Sequence, residues 1–309
     1  MCKGVKILYY NTIQYSMLES NCNAVSSRGI MKSCDIYSST PNSSIRQVIG
    51  YDFSKIRPGN TLYICSSAIP HFISTVFGTL SMPFILVTGD CDESCPNDLF
   101  QCQKDFLDFI ESDKIMHWYS QNCVGSHPKL SQIPIGLDYH TLSNKNHEWG
   151  PKSSPMDQER LLFSVREKSK PIEERALKCY ANFQFLMTTR FSQDRKDAIK
   201  KIPANCIYYE QSKVPRLRTW ITQSQYAFVI SPHGNGLDCH RTWEALALGC
   251  IPIVKSSPLD PMFAGLPVWI VKDWSEVNLS AMSCKIAEYN GRRVQEKMQL
   301  SYWMGVILG

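Results

Sequence analysis

Residues 231–254 carry the densest run of chemically useful side chains in this sequence. Gly234 and Gly236 flank Asn235, His233 precedes them, and Asp238 follows two positions on. His240, Arg241 and Glu244 come next, with His240 and Glu244 four apart on one side of an expected helix. Paired glycines at a helix start let a ligand approach backbone N–H groups closely, in a field that favours anions. A carboxylate one turn further along can accept two hydroxyl hydrogen bonds, as from a ribose. Phosphate and ribose together mean a nucleotide. An ordinary buried strand–loop–helix unit, with glycines that only turn the chain, fits the same spacing.

Asp90 and Asp92 form a second set, just after the apolar run Phe84–Val87. Two aspartates one residue apart can hold a divalent cation and a diphosphate, or one of them can serve as a general base. His71, after Leu62–Cys65, is the reserve candidate for the base. An aspartate that merely turns the chain would look the same. Arg190, at the end of an inferred strand, is the first candidate for clamping a diphosphate, ahead of Arg195 and Lys196. Tyr208 and Tyr209 could stack on a base or simply pack in a strand.

No metal site is expected. Cys239 and His240 diverge by about 100° on a helix, so they cannot readily share an ion with His233 and Asp238. Cys91, Cys95 and Cys102 contain no C-x-x-C pair. A dehydrogenase fingerprint also fails, because Cys239 stands where G-x-G-x-x-G needs its third glycine. No resident cofactor is therefore expected.

These residues must be positioned by an α/β scaffold. The chain has 309 residues, 43% hydrophobic and 20% charged, which suits a globular protein of two domains of about 150 residues each. A net charge of +5 without a Lys/Arg block welcomes small anions, but gives no basic stripe for nucleic acid. Thirteen cysteines fall in no framework, and the N-terminal apolar run is too short for a signal peptide or anchor, so free thiols in a cytoplasmic setting are expected.

Strands are expected at Val5–Tyr10, Leu62–Cys65, Phe84–Val87, Ile115–Tyr119, Ala181–Met187, Cys206–Tyr209, Tyr226–Ile230, Ile251–Val254 and Pro267–Val271. Helix-length segments lie between them at 70–80, 97–111, 156–168, 191–202 and 217–223, and a last amphipathic helix spans Arg292–Trp303. Asp238 is the expected N-cap of the central helix and Gly249 its stop. Alternation of this kind predicts parallel sheets with helical crossovers. Residues 1–150 and 151–309 form the two halves, joined through a polar linker after Ile133–His140.

The run from Tyr226 to Val271 resembles the exostosin-like glycosyltransferases, notably forms seen in algae and in the large DNA viruses that infect them. The resemblance rests on Ser231–Gly236, Asp238, His240–Arg241, Trp243–Glu244, Gly249–Val254 and Leu266–Val268, with Pro134–Asp138 as a shorter match. It implies a GT-B architecture of two facing Rossmann-like domains with an interdomain cleft and a C-terminal helix that packs back on the first domain. The C-terminal domain would hold a UDP- or GDP-linked sugar donor and the N-terminal one a glycan or glycoprotein acceptor, with inversion and no obligatory metal. Arg190, His233, Gly234, Asn235, Gly236, Asp238, His240, Arg241, Glu244 and Tyr209 would form the donor side. Asp90, Asp92 or His71 would supply the base. The rival readings are a metal-dependent transferase using Asp90 and Asp92, and an inactive nucleotide-sugar or glycan binder.

Overall fold

The structure, a computed structural model, describes residues 18–185, 188, 190–289 and 296–309. The expected strand Val5–Tyr10 lies outside these residues, as do Leu186, Met187 and the first part of the expected final helix.

The first half holds β1 (Thr61–Cys65), β2 (Phe84–Gly89), β3 (Ile115–Ser120) and β4 (Leu130–Gln132). They form one parallel sheet in the order β1-β2-β3-β4. Every residue of β1 is buried, as a parallel strand covered on both faces must be. Around the sheet lie α1 (Ser27–Ser33), α2 (Ile69–Thr75), α3 (Gln103–Ile110) and, at the junction, α4 (His140–Asn144).

The second half begins with α5 (Pro155–Lys168) and holds β5 (Ala176–Ala181), α6 (Ser192–Lys201), β6 (Ile207–Tyr209), α7 (Arg216–Gln223) and β7 (Tyr226–Ile230). It continues through α8 (His240–Ala247), β8 (Ile251–Lys255), β9 (Trp269–Val271) and α9 (Leu279–Tyr289). Its five strands are parallel, in the order β6-β5-β7-β8-β9. Strand order reverses between β5 and β7. Chains leaving those two strands turn to opposite sides and leave a crevice at their carboxyl ends. Two α/β units with parallel sheets agree with the expected GT-B class.

The strand expected at Ala181–Met187 ends at Ala181 instead. Its first half alternates exposed and half-buried positions, which hides the apolar signal, while Phe183 and Phe185 leave the sheet and pack against each other. The Gly249 stop is as expected: φ is +69°, and the Gly249 and Cys250 N–H groups close back on Leu246 and Ala245. The cap at the other end differs. Cys239 is the N-cap residue, and Asp238 is used elsewhere.

The two halves share an apolar core. Val25, Tyr63, Val87 and Ile135 from the first join Val229, Trp243, Leu246 and Val254 from the second. The last helix, α10 (Leu300–Leu308), lies against the first half. There Val306 accepts from the Tyr119 hydroxyl at 2.8 Å, and Leu300 N–H donates to Asn23 O at 2.8 Å. The described cysteines are free thiols. Among the described residues no helix is long and apolar enough to cross a membrane.

Candidate functional site

The glycine-bearing loop sits at the seam between the halves, and much of it is fastened there. The buried Asp238 carboxylate accepts from Ile135 N–H at 2.8 Å, from Cys239 N–H at 2.9 Å and from the Trp243 indole at 2.9 Å. Burial pushes its pKa up to about 6, against the pull of those three donors. The Asp238 N–H donates to Asn122 Oδ1 at 2.8 Å, and Asn122 Nδ2 donates to Cys91 O at 3.2 Å. Gly236 is small because it must be: a Cβ there would stand 2.7 Å from Asn122 Nδ2 and 3.1 Å from Asp92 O. His233 N–H is taken by Asp194 and Gly234 N–H by Gly236 O. The sequence suggested a cradle of free N–H groups, yet those of residues 233, 234, 238 and 239 already have protein acceptors.

Positive charge comes instead from two side chains at the β5/β7 reversal. Arg195 on α6 and Arg241 on α8 both lie over the Phe183 ring, at 5.8 and 5.6 Å from its centroid. Arg195 Nε donates to His233 O at 3.0 Å and Nη1 to Gln184 O at 3.0 Å. Arg241 reaches Ser231 Oγ at 3.4 Å and Pro232 O at 3.3 Å. Neither guanidinium forms an ion pair with a carboxylate among the described residues. Burial, then the neighbouring Arg241, pulls the Arg195 pKa down to about 10, so Arg195 remains charged at neutral pH. Two cations held close together by carbonyls rather than acids can receive an anion. His233, 8% exposed, lines the same place, its Nδ1 bound to Leu237 O at 2.9 Å.

A second cluster lies where the halves join. Asp138 Oδ1 is 3.2 Å from His140 Nδ1, and its Oδ2 accepts from Arg216 Nη2 at 2.7 Å. Burial works against the Asp138 charge, but His140, His240, Arg216 and the Thr141 N–H hold its carboxyl well below the usual carboxylate range. His240 Nδ1 lies 2.8 Å from Gly136 O. A carbonyl only accepts, so Nδ1 carries a proton. The His140 and His240 rings are 5.9 Å apart. Glu244 lies one turn beyond His240, 3.8 Å from Arg216 Nε. Burial raises its pKa, and Arg216 opposes that rise.

No family model matches the chain, and no curated protein matches it. Among solved structures, an α1,3-fucosyltransferase is similar over 82% of this chain and 83% of that one, at 10% identity and a TM-score of 0.37. A likeness at that level carries no inference about activity.

The remaining expected site residues are spread around these clusters. Asp90 is buried at a left-handed φ of +57° and pairs with Arg28 at 3.3 Å and with the Ser43 hydroxyl at 2.8 Å. Asp92 is exposed as a residue, but its carboxyl faces the Asn235 amide and the Gly236 N–H across the seam; partial desolvation there pushes its pKa up, against the pull of those two donors. The two aspartates therefore have separate partners. His71 contacts Val48 and Thr75 within the first half. Arg190 is half exposed, pairs with Asp98 of the first half and lies over Phe191, which in turn meets His233 edge-on. Tyr209 packs edge-on against Phe185, and Tyr208 stacks on Tyr226.

Sequence reasoning passed over His140, Asp138, Arg216 and Phe183, and ranked Arg195 behind Arg190. An Asp-x-His spacing in Gly136-Leu137-Asp138-Tyr139-His140 was the available signal for the first two.

Proposed function

We propose that this protein is a glycosyltransferase that moves a sugar from a UDP- or GDP-linked donor to a hydroxyl of a glycan or glycoprotein acceptor, inverting the anomeric centre without an obligatory metal. The observation that carries this reading is the convergence of Arg195 and Arg241 over Phe183 at the strand-order reversal. Glycosyl transfer expels a nucleoside diphosphate, and the departing charge needs fixed cations in a partly desolvated place. The two arginines supply that role, and Arg190 is one contact removed from it through Phe191. Glu244 takes the ribose hydroxyls, its ion pair with Arg216 Nε being a long one at 3.8 Å. His233 and His240 line the donor side, while Asp238 and Gly236 keep the loop against the first half.

The separate engagement of Asp90 by Arg28 weighs against a metal-holding aspartate pair. A carboxylate that shares its charge with a guanidinium is a poorer cation ligand. Titration calorimetry with UDP and GDP, followed by incubation with a panel of nucleotide sugars and simple glycoside acceptors, tests the reading. Binding of at least one nucleotide and product formation that survives chelator are expected. Failure of every donor to bind or react would overturn it.

A further inference from the structure

We infer that His140 is the general base that takes the proton from the acceptor hydroxyl, with Asp138 as its positioning residue. This rests on the transferase reading and assigns the step that reading leaves open.

Four observations place it. His140 opens α4 at the junction of the halves, and its side chain is 19% exposed, so a ligand can reach a ring otherwise held in place. Its Nδ1 is 3.2 Å from Asp138 Oδ1. Asp138 is 5% exposed and cannot turn away, being fixed by Arg216 at 2.7 Å on one oxygen and by Thr141 N–H at 3.0 Å on the other. Beside that negative charge, the neutral ring favours the tautomer with its N–H on Nδ1 and a lone pair on Nε2. Finally, the ring is 5.9 Å from His240, a residue of the same helix that carries Arg241 and Glu244. The base thus stands beside the donor half, although it belongs to the chain segment that leads out of the first.

Asp90 has a different surrounding. Its carboxylate is held by Arg28 and Ser43, both within the first half. The groups that face His140 are Asp138, His240, Arg28 and Asp90. Burial, helped by His240 and Arg28, lowers its pKa from the ordinary histidine value, while Asp138 and Asp90 oppose this. The ring is therefore neutral at physiological pH.

The step balances without further reactants. The acceptor oxygen bonds to the anomeric carbon, and its proton passes to His140 Nε2. The bond from that carbon to the donor phosphate oxygen breaks, and its electron pair leaves with the nucleoside diphosphate. Asp138 stabilises the imidazolium until the proton is lost to water.

The experiment compares wild type, His140→Gln and Asp138→Asn by calorimetry with UDP and GDP, and by transfer kinetics across pH with the donor found for wild type. For His140→Gln, kcat is expected to fall at least 100-fold, within the range for a lost general base, while nucleotide affinity stays within threefold. The wild-type profile of kcat/KM falls at acid pH as His140 becomes protonated, and the variant loses that limb. Asp138→Asn keeps the imidazole but loses the charge that raises its basicity, so its limb moves to lower pH with reduced kcat. If wild type turns over and His140→Gln keeps more than a tenth of its kcat, or keeps the acid limb, the assignment is wrong and the transferase reading stands. If wild type neither binds nor uses any nucleotide sugar, both fall. If His140→Gln does not fold, the wild-type limb and its displacement in Asp138→Asn decide the matter.

Discussion

Adding one methyl group at each of three glycines should separate the parts of the seam. At Gly136 a Cβ would lie 2.2 Å from the Val25 carbonyl oxygen and 2.6 Å from its carbon, and φ is +64°. Nothing there is flexible. The strained φ costs about 1–3 kcal/mol, and overpacking adds about 1–3 kcal/mol. The stiffer unfolded chain returns only about 0.4–1 kcal/mol. Gly136→Ala should therefore lose about 3 kcal/mol, the middle of the range these effects span. At Gly236 the nearest atom is Asn122 Nδ2 at 2.7 Å. That amide is the end of a side chain, but its bonds to Asp238 N–H and Cys91 O prevent it from yielding alone. Gly236→Ala should cost about 1–2 kcal/mol. Gly234 offers a milder case, with Arg195 Nη2 and Cys239 Sγ both at 3.3 Å. There a flexible side chain gives way, and the change should stay within about 0.5 kcal/mol. Urea unfolding with m-values measures all three. The order Gly136, Gly236, Gly234 is the expectation. If Gly236→Ala is as harmless as Gly234→Ala, the seam does not close on Asn122 and the positioning argument for the loop fails.

Arg241→Gln should weaken UDP or GDP binding about 10- to 100-fold, the loss of a charge-assisted contact of about 1.5–3 kcal/mol. Affinity within twofold of wild type, measured by calorimetry, would remove Arg241 from the anion receptor. Glu244→Ala should weaken nucleotide binding about tenfold or more through the lost hydroxyl contacts, and unchanged affinity would end the ribose assignment. Asp90→Asn should act on stability. It leaves the Arg28 charge buried without its partner, a loss of about 3 kcal/mol, while asparagine tolerates the +57° φ. Denaturation showing no loss would mean that Arg28 finds another acceptor. The Asp138 carboxyl lies well below its ordinary value when folded, so its contribution is fully present above the unfolded value of about 4 and is lost as pH falls further. Acid titration of Asp138→Asn should show that this part of the acid destabilisation is gone; a slope unchanged from wild type below pH of about 4 would contradict it.

Most of the scaffold was legible in the chain because buried parallel strands are nearly continuous apolar runs. The run Tyr226–Ile230 was placed to the residue, and Ile115–Ser120 and Phe84–Gly89 to within two. The exceptions have local causes. Strand β5 begins with alternating exposed residues, and β4 has only three, too few to show a period. The central loop was legible as a special place, since glycines beside Asp, His and Glu at helical spacing are informative in any fold.

The use of each residue in that loop was not legible, because it depends on what stands opposite. Asp238 has the residue type of a helix cap, but Ile135 N–H, more than 100 positions away, comes within 2.8 Å and makes it a clasp between the halves. Arg190 and Arg195 are alike on paper. Only the fold gives Asp98 to the first and leaves the second buried over Phe183 beside Arg241. Asp90 likewise reads as a base until Arg28 is found against it. The sequence by itself therefore determined the two sets of parallel strands with their helical crossovers and marked residues 231–254 as unusual, since periodicity and turn chemistry are local. Tertiary structure alone decided which charges are paired and which are free, because pairing is set by the three-dimensional approach of segments that the chain keeps far apart.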